Sequence, residues 1–168
     1  MKVISDSLLS CLERMSADRY KLLRALASEG MFSPSDLERI VEEFTIKRYN
    51  LAKSFYESAK AIPLNADIDA RNAISRNYYA MFHAARAVIF HFNRYDEEKH
   101  EEIIKRIGGI LGKSFQDILF EWKENRTVVD YSPFPDFDLM DYANRAIKEA
   151  EEFLDECKTF LSKRGVSL

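Results

Sequence analysis

The chain has 168 residues and a mass of 19.6 kDa, which suits one domain with a buried core and is too short for two ordinary domains. Only 5 glycines and 4 prolines interrupt it, so a fold built from many tight turns between strands is excluded and long helices are expected. The 25 basic and 28 acidic side chains give a net charge of −3, which excludes a general affinity for polyanions. Two cysteines without C-x-x-C spacing predict reduced thiols, and the lack of any long apolar run predicts a soluble, cytoplasmic protein that does not bind a membrane.

The apolar pattern of residues 1–32 predicts two short helices at the start of the chain. Apolar residues recur there at helical spacing, a break is expected near residues 16–18, and Gly30 ends the pattern. We therefore interpret residues 1–32 as an N-terminal helical extension and residues 33–168 as the principal domain.

Five longer helices are expected in the principal domain. The first has the strongest start signal, Ser33-Pro34-Ser35-Asp36, which combines a serine cap, a proline in the first turn and an acidic residue near the positive end of the helix dipole. Its apolar periodicity continues towards Pro63. The other four helices are expected from an Asp67 or Asp69 cap to about Asn93, from near Asp96 to between Gly108 and Gly112, from Ser114 to about Val129, and from an Asp136 or Asp138 cap to Arg164.

Charge is distributed unevenly along this all-α pattern. Residues 70–95 contain four arginines and no acidic residue, whereas residues 96–168 hold 11 basic and 17 acidic side chains. The histidines His83, His91 and His100 fall in or just beyond the acid-free stretch. They lack the i, i+4 spacing of metal ligands on a helix, so neither a metal site nor another cofactor is expected.

The acid-free helix has two different faces. One face is an apolar seam suited to close packing, formed by Ile74, Tyr78, Met81, Ala85, Val88 and Phe92. The opposite face is a stripe formed by Asn72, Arg76, Tyr79, His83, Arg86, Phe90 and Arg94. Guanidinium groups match phosphate oxygens, aromatic rings stack on bases and imidazole can transfer protons, so the stripe indicates binding of nucleotide or RNA. The alternative is that its cationic side chains pair with acids of residues 96–168.

A longer motif lies within this helix. Residues 75–87, S-R-N-Y-Y-A-M-F-H-A-A-R-A, closely resemble the signature helix of one branch of the HEPN domain family, S-R-x-Y-Y-A-M-F-H-A-A-R-A. The resemblance extends from about Glu38 to Leu161. It includes Lys99-His100, which is similar to the family's K-x-H, and residues 126–131, which are similar to its R-x-x-x-D-Y segment.

This resemblance implies an antiparallel bundle of four to five helices that forms a homodimer and binds nucleotide or RNA. It also implies a nucleotidyltransferase-like partner, with which the protein would form a toxin–antitoxin or defence pair. Together with the stripe, it gives the expected nucleotide- or RNA-binding residues as Asn72, Arg76, Tyr79, His83, Arg86, Arg126, Asp130 and Tyr131.

Two other functions remain open at this stage. Many proteins of this family are metal-independent ribonucleases, but their late R-N-x-x-x-H-x-Y motif corresponds here to residues 124–131, where Glu124 replaces the arginine and Val129 replaces the histidine. Arg76 and His83 match R-x6-H on the signature helix instead, and they are the candidate catalytic residues of a ribonuclease. The other alternative is a non-catalytic helical adaptor or dimerisation module, with the stripe buried in a protein interface.

Overall fold

The computed structural model describes residues 15–31 and 33–168, so the first of the two short helices predicted in residues 1–32 lies outside the described residues. The described residues form six helices and no strand, which confirms the all-α prediction. The helices are α1 (Ala17–Ser28), α2 (Pro34–Lys60), α3 (Asp67–Asn93), α4 (His100–Leu111), α5 (Lys113–Tyr131) and α6 (Leu139–Ser162). None of these helices is both long and apolar enough to cross a lipid bilayer.

Local capping signals set several helix boundaries where they were predicted. Ser33 is the N-cap of α2, its hydroxyl accepts the backbone N–H of Ser35 at 3.2 Å, and Pro34 occupies the first helical position. Asp138 is the N-cap of α6, where its carboxylate accepts two backbone N–H groups at 2.8 and 2.9 Å. These side chains satisfy N–H groups that have no partner inside the helix.

Two predicted helix starts are wrong. Ala66, which has no capping side chain, is the N-cap of α3, and Asp67 and Asp69 lie in its first turn, where carboxylates still favour the positive helix end. Helix α4 begins at His100 rather than near Asp96. The reason is that the Asp96 carboxylate points inward and binds two arginines, so it does not cap a helix.

The contacts between α2 and α3 show that these helices run antiparallel. Phe44 near the start of α2 packs on Phe90 near the end of α3, with 4.3 Å between ring centroids. Later in α2, Ser58 accepts a hydrogen bond from Arg76, which lies earlier in α3. Helices α3 and α5 are also antiparallel, because residues early in α3 contact residues late in α5. The same holds for α5 and α6, so α2, α3, α5 and α6 form the predicted antiparallel bundle.

Helix α3 lies at the centre of this bundle. It packs against α2, α4, α5 and α6, and apart from half-buried His83 every residue from Ala80 to Phe90 is buried. The alanines among them let neighbouring helices approach closely. The predicted apolar seam is confirmed from Ile74 to Val88, whereas Phe92, in the last turn of α3, is 55% exposed.

A buried cluster of three charged side chains fixes the segment that follows α3. The Asp96 carboxylate binds Arg86 at 2.6 Å and Arg48 at 2.8 Å. The Asp96 side chain is 1% exposed and each arginine side chain is 10% exposed, so water solvates none of these charges fully. The cluster therefore joins α2, α3 and the segment between α3 and α4 at a point where each charge depends on the others.

We expect Asp96→Ala to lower the free energy of unfolding by about 3–5 kcal/mol, because it removes the buried carboxylate that both guanidinium groups bind. Urea unfolding followed by circular dichroism measures this change. The control is Glu98→Ala: the half-exposed Glu98 carboxylate lies 3.9 Å from Arg86, and its loss is expected to cost about 1 kcal/mol or less. Equal losses in the two variants would contradict the assignment of Asp96 as the counter-charge.

Candidate functional site

The predicted stripe on α3 has an exposed part that runs from Asn72 to His83. Asn72 and Arg76 are exposed, and Tyr79 and His83 are half-buried. These four residues follow one another at three- and four-residue spacing, so they lie along one side of the helix.

The remaining members of the stripe are turned inward or paired. Arg86 is buried against Asp96, Phe90 is fully buried in the core, and Arg94 forms an ion pair with Glu38 at 2.9 Å. Pairing with an acid of residues 96–168, the alternative considered for the whole stripe, therefore describes Arg86. It does not describe Arg76, which forms no ion pair with any described residue.

Helix α5 brings the segment of residues 126–131 against the exposed part of the stripe. The Arg126 Nη2 donates to the Tyr79 hydroxyl at 2.7 Å, and the guanidinium group lies 5.2 Å from the centroid of the Tyr79 ring. The same group lies 5.9 Å from the ring centroid of Tyr131 and 2.6 Å from the carboxylate of Asp130. Two parts of the sequence that were predicted separately thus form one surface.

Arg71, which sequence reasoning did not select for the site, holds the end of α5 in place. Its Nη1 donates to the carbonyl oxygens of Val129 at 2.6 Å and Ser132 at 2.8 Å. Carbonyl groups at the C-terminal end of a helix have no partner inside it, and a cation there also favours the helix dipole. The signal in the sequence is that Arg71 is the first arginine of the acid-free stretch.

Helix α2 supports the same surface from the other side. The Phe55 ring stacks on His83 with 5.3 Å between centroids and also lies 5.7 Å from Tyr79. One helical turn later, the Ser58 hydroxyl accepts a hydrogen bond from Arg76 at 3.1 Å. We call the resulting face the α3–α5 surface, and its members are Asn72, Arg76, Tyr79, His83, Arg126, Asp130 and Tyr131.

The environment of His83 keeps its imidazole neutral. Burial lowers its pKa to about 4, with smaller contributions from the charges of Arg48 and Arg86 and from His100. Its Nδ1 is buried and has no hydrogen-bond partner among the described residues. At neutral pH this ring is therefore a stacking and hydrogen-bonding group rather than a cation, and its pKa is far from the optimum for proton transfer.

His100 belongs to an aromatic cluster behind the α3–α5 surface. Its Nδ1 shares a hydrogen bond with the Tyr78 hydroxyl, and its ring stacks on Phe82 with 4.4 Å between centroids. Burial is the largest cause of its lowered pKa, so this ring is also neutral. The Phe82 ring meets His83 as well, at 5.5 Å. In the part of the chain that the structure describes, no three His, Cys, Asp or Glu side chains converge as metal ligands.

Comparison with known proteins identifies one family. A sequence model of the HEPN domain matches residues 47–160, which is more than half of the chain. The match includes α3, α4 and α5 and every member of the α3–α5 surface. No curated protein and no solved structure gives a significant match.

We expect the His83 imidazole to titrate near pH 4 in the folded protein, because burial and neighbouring guanidinium groups disfavour its charged form. In the unfolded chain a histidine titrates near pH 6.5, so the unfolded state binds more protons between pH 4 and 6.5 and stability decreases as the pH falls through that window. Titration of the histidine ring protons by NMR, assigned with His83→Gln, measures the midpoint. The variant should also show a weaker pH dependence of urea unfolding, whereas a His83 midpoint at or above pH 6.5 would refute this assignment.

Proposed function

The chain belongs to the HEPN domain family, and from this premise we propose that it is a nucleotide- or RNA-binding protein. Membership of the family is compatible with a function related to nucleotides or RNA. The observation that supports the proposal most directly is the meeting of cationic and aromatic side chains from α3 and α5 on one accessible face.

Arg76 is the group best placed to bind a phosphate. Its side chain is exposed and donates to the neutral hydroxyl of Ser58, and no described carboxylate neutralises it. The planar guanidinium group offers paired N–H donors that match phosphate oxygens. Asn72, exposed one turn before it, adds amide donors and an acceptor on the same side of α3.

Tyr131 and Tyr79 supply the aromatic part of the proposed site. The Tyr131 ring is 75% exposed, so a base can stack on it, and such stacking contributes about 1–3 kcal/mol per base. Arg126 lies between the two rings and pairs with Asp130, so its main role is to position them. The Asp130 carboxylate can also accept a hydrogen bond from a ribose hydroxyl or a base amino group.

We also propose that the protein acts in the cytoplasm as a homodimer, paired with a nucleotidyltransferase-like protein in a toxin–antitoxin or defence system. Proteins with this domain often dimerise. Exposed apolar side chains at one end of the α3–α5 surface support a protein contact there: Ile68 precedes Asn72 by one turn of α3, and Phe134 follows Tyr131 closely in sequence. Such side chains are favoured at interfaces because association removes them from water.

The ribonuclease alternative has less support. His83, with its pKa of about 4, is a weak base at neutral pH, and Arg76 and His83 contact different residues of α2, Ser58 and Phe55. We therefore propose binding by the α3–α5 surface without cleavage by this pair of side chains.

We expect Arg76→Gln to weaken binding of a fluorescein-labelled single-stranded RNA about tenfold or more, because it removes a charge-assisted hydrogen bond to phosphate. Tyr131→Ala is expected to weaken binding to a similar degree through loss of base stacking. Fluorescence anisotropy measures both affinities. The matched control is Lys105→Gln, which removes one positive charge from an exposed position on α4 and should leave the affinity near that of the wild type.

Unchanged RNA affinity in both Arg76→Gln and Tyr131→Ala would overturn the proposed function. If the same variants instead change the molecular mass measured by light scattering, the α3–α5 surface is a protein interface and the adaptor alternative is correct.

We expect labelled RNA to remain intact when it is incubated with the protein in EDTA, since no histidine of the α3–α5 surface has a pKa suited to proton transfer at neutral pH. Denaturing electrophoresis, with detection of 2′,3′-cyclic phosphate ends, measures cleavage. Cleavage by the wild type that disappears in His83→Ala would identify the ribonuclease instead.

A further inference from the structure

A second cationic site lies where the end of α3 meets the first turns of α2 and the chain that follows α6. A cavity of about 560 Å³ opens to solvent at this junction. Its charged and titratable lining residues are Arg39, Arg94, Arg164, His91, Glu38 and Glu42.

This cavity is separate from the α3–α5 surface. His91 follows His83 by eight residues, which places it about 12 Å further along α3 and about 80° around the helix axis. The cavity therefore lies at the other end of the central helix and on a different side. Neither the proposed RNA contacts nor the Arg126 segment reaches it.

The backbone of Arg94 is unusual. Among the described residues it is the one non-glycine residue with a positive φ, with φ 64° and ψ 21°, in the left-handed region. It is the C-cap of α3, and a left-handed residue at the end of a helix is ordinarily glycine, which adopts this conformation without strain. The chain instead has an arginine here, and the side chain of that arginine lines the cavity.

The protein supplies only some of the hydrogen-bond and ion-pair partners that the arginine and histidine side chains of the cavity could have. Arg94 Nη2 pairs with Glu38 at 2.9 Å, but its Nη1 is buried without a hydrogen-bond partner among the described residues, as is Nδ1 of His91. Arg164 lies over the Phe160 ring, 3.6 Å from its centroid, and makes a long 3.4 Å hydrogen bond to the Phe160 carbonyl. It forms no ion pair with a described side chain.

The local charges favour an anion. Burial and the charges of Arg94 and Arg164 lower the pKa of His91, and the opposing effects of Glu38 and Glu42 are smaller, which indicates a positive potential at this ring. Glu38 is already paired with Arg94, and Glu42 accepts the backbone N–H of Ser167 at 3.4 Å. Glu42 and Arg164 each hydrogen-bond to a neutral backbone group, so the excess of positive charge comes from the three arginines of the lining, which outnumber its two glutamates.

We propose that this cavity is a second ligand site that binds a phosphate group, either as inorganic phosphate or as the phosphate monoester of a molecule of mononucleotide size. Arg94 and Arg164 both line the cavity, and their planar guanidinium groups suit the several oxygens of phosphate better than a single acceptor. A volume of about 560 Å³ is within the range of cavities that hold small ligands.

Isothermal titration calorimetry with inorganic phosphate and with adenosine 5′-monophosphate, at constant ionic strength, tests the site. Wild-type protein should bind both probes saturably and should not bind adenosine, which lacks the phosphate. Arg94→Gly should weaken phosphate binding about tenfold or more, since it removes charge-assisted hydrogen bonds. Because glycine relieves the left-handed backbone, this variant should keep the thermal stability of the ligand-free wild type.

Two further variants ensure that the test does not depend on the affinity of one variant alone. Arg164→Gln should weaken phosphate binding as Arg94→Gly does, whereas Lys105→Gln, on the exposed side of α4, should bind like the wild type. The absence of saturable phosphate binding by the wild type would overturn the proposal. Equal phosphate affinities in wild type, Arg94→Gly and Arg164→Gln would also overturn it.

A final comparison tests whether the bound phosphate group belongs to a free nucleotide or to the end of an RNA. Adenosine 5′-monophosphate is compared with a 5′-phosphorylated RNA and its 5′-hydroxyl counterpart, each with wild type and Arg94→Gly. Tighter binding of the mononucleotide identifies a free nucleotide as the ligand. A preference for the 5′-phosphorylated RNA that Arg94→Gly abolishes identifies an RNA end.

Discussion

The enclosure of α3 by four other helices is the constraint on which the rest of the structure depends, because a polar side chain on an enclosed helix must find a partner or cost stability. Arg86 meets this condition through Asp96, and Tyr78 meets it through His100. Arg76 needs no such protein partner for its charge, since its side chain is exposed to water. The accessible chemistry of α3 is therefore confined to places where the surrounding helices leave a gap, and the α3–α5 surface is one of those gaps.

The sequence predicted the features that depend on local spacing. Helix α2 starts at its serine cap and proline, and the apolar seam of α3 is buried from Ile74 to Val88, because both patterns are set by residues within a few turns of one another. The family resemblance, carried by a continuous string, is likewise confirmed. What spacing could not predict is which arginines of the stripe remain accessible. Arg86 and Arg76 belong to the same predicted stripe, but the chain after α3 folds back to place Asp96 against Arg86, whereas Arg76 remains exposed.

The two proposed sites use the same central helix in different ways. Near its start, α3 contributes flat, exposed groups that suit an extended ligand such as a single strand of RNA. Near its end, it contributes Arg94 and His91 to a concave cavity that suits a compact ligand. On α3, Arg86 of the buried Arg48–Asp96–Arg86 cluster lies between His83 of the first site and His91 of the second. These packed, dehydrated residues keep the two sites chemically separate while placing them on one rigid element.

The cluster of Asp96 with two arginines also has an evolutionary consequence. Replacement of Asp96 alone removes the carboxylate that both buried arginines share, whereas joint replacement of the cluster by apolar side chains of similar volume is often neutral or even stabilising. Related chains should therefore lose the acidic residue at position 96 only where the arginines at positions 48 and 86 are exchanged as well. Since Asp96 also donates its backbone N–H to the carbonyl of Met15, such an exchange must preserve the backbone path that anchors the start of α1. Covariation of these three positions among related sequences would show that such joint exchanges have occurred.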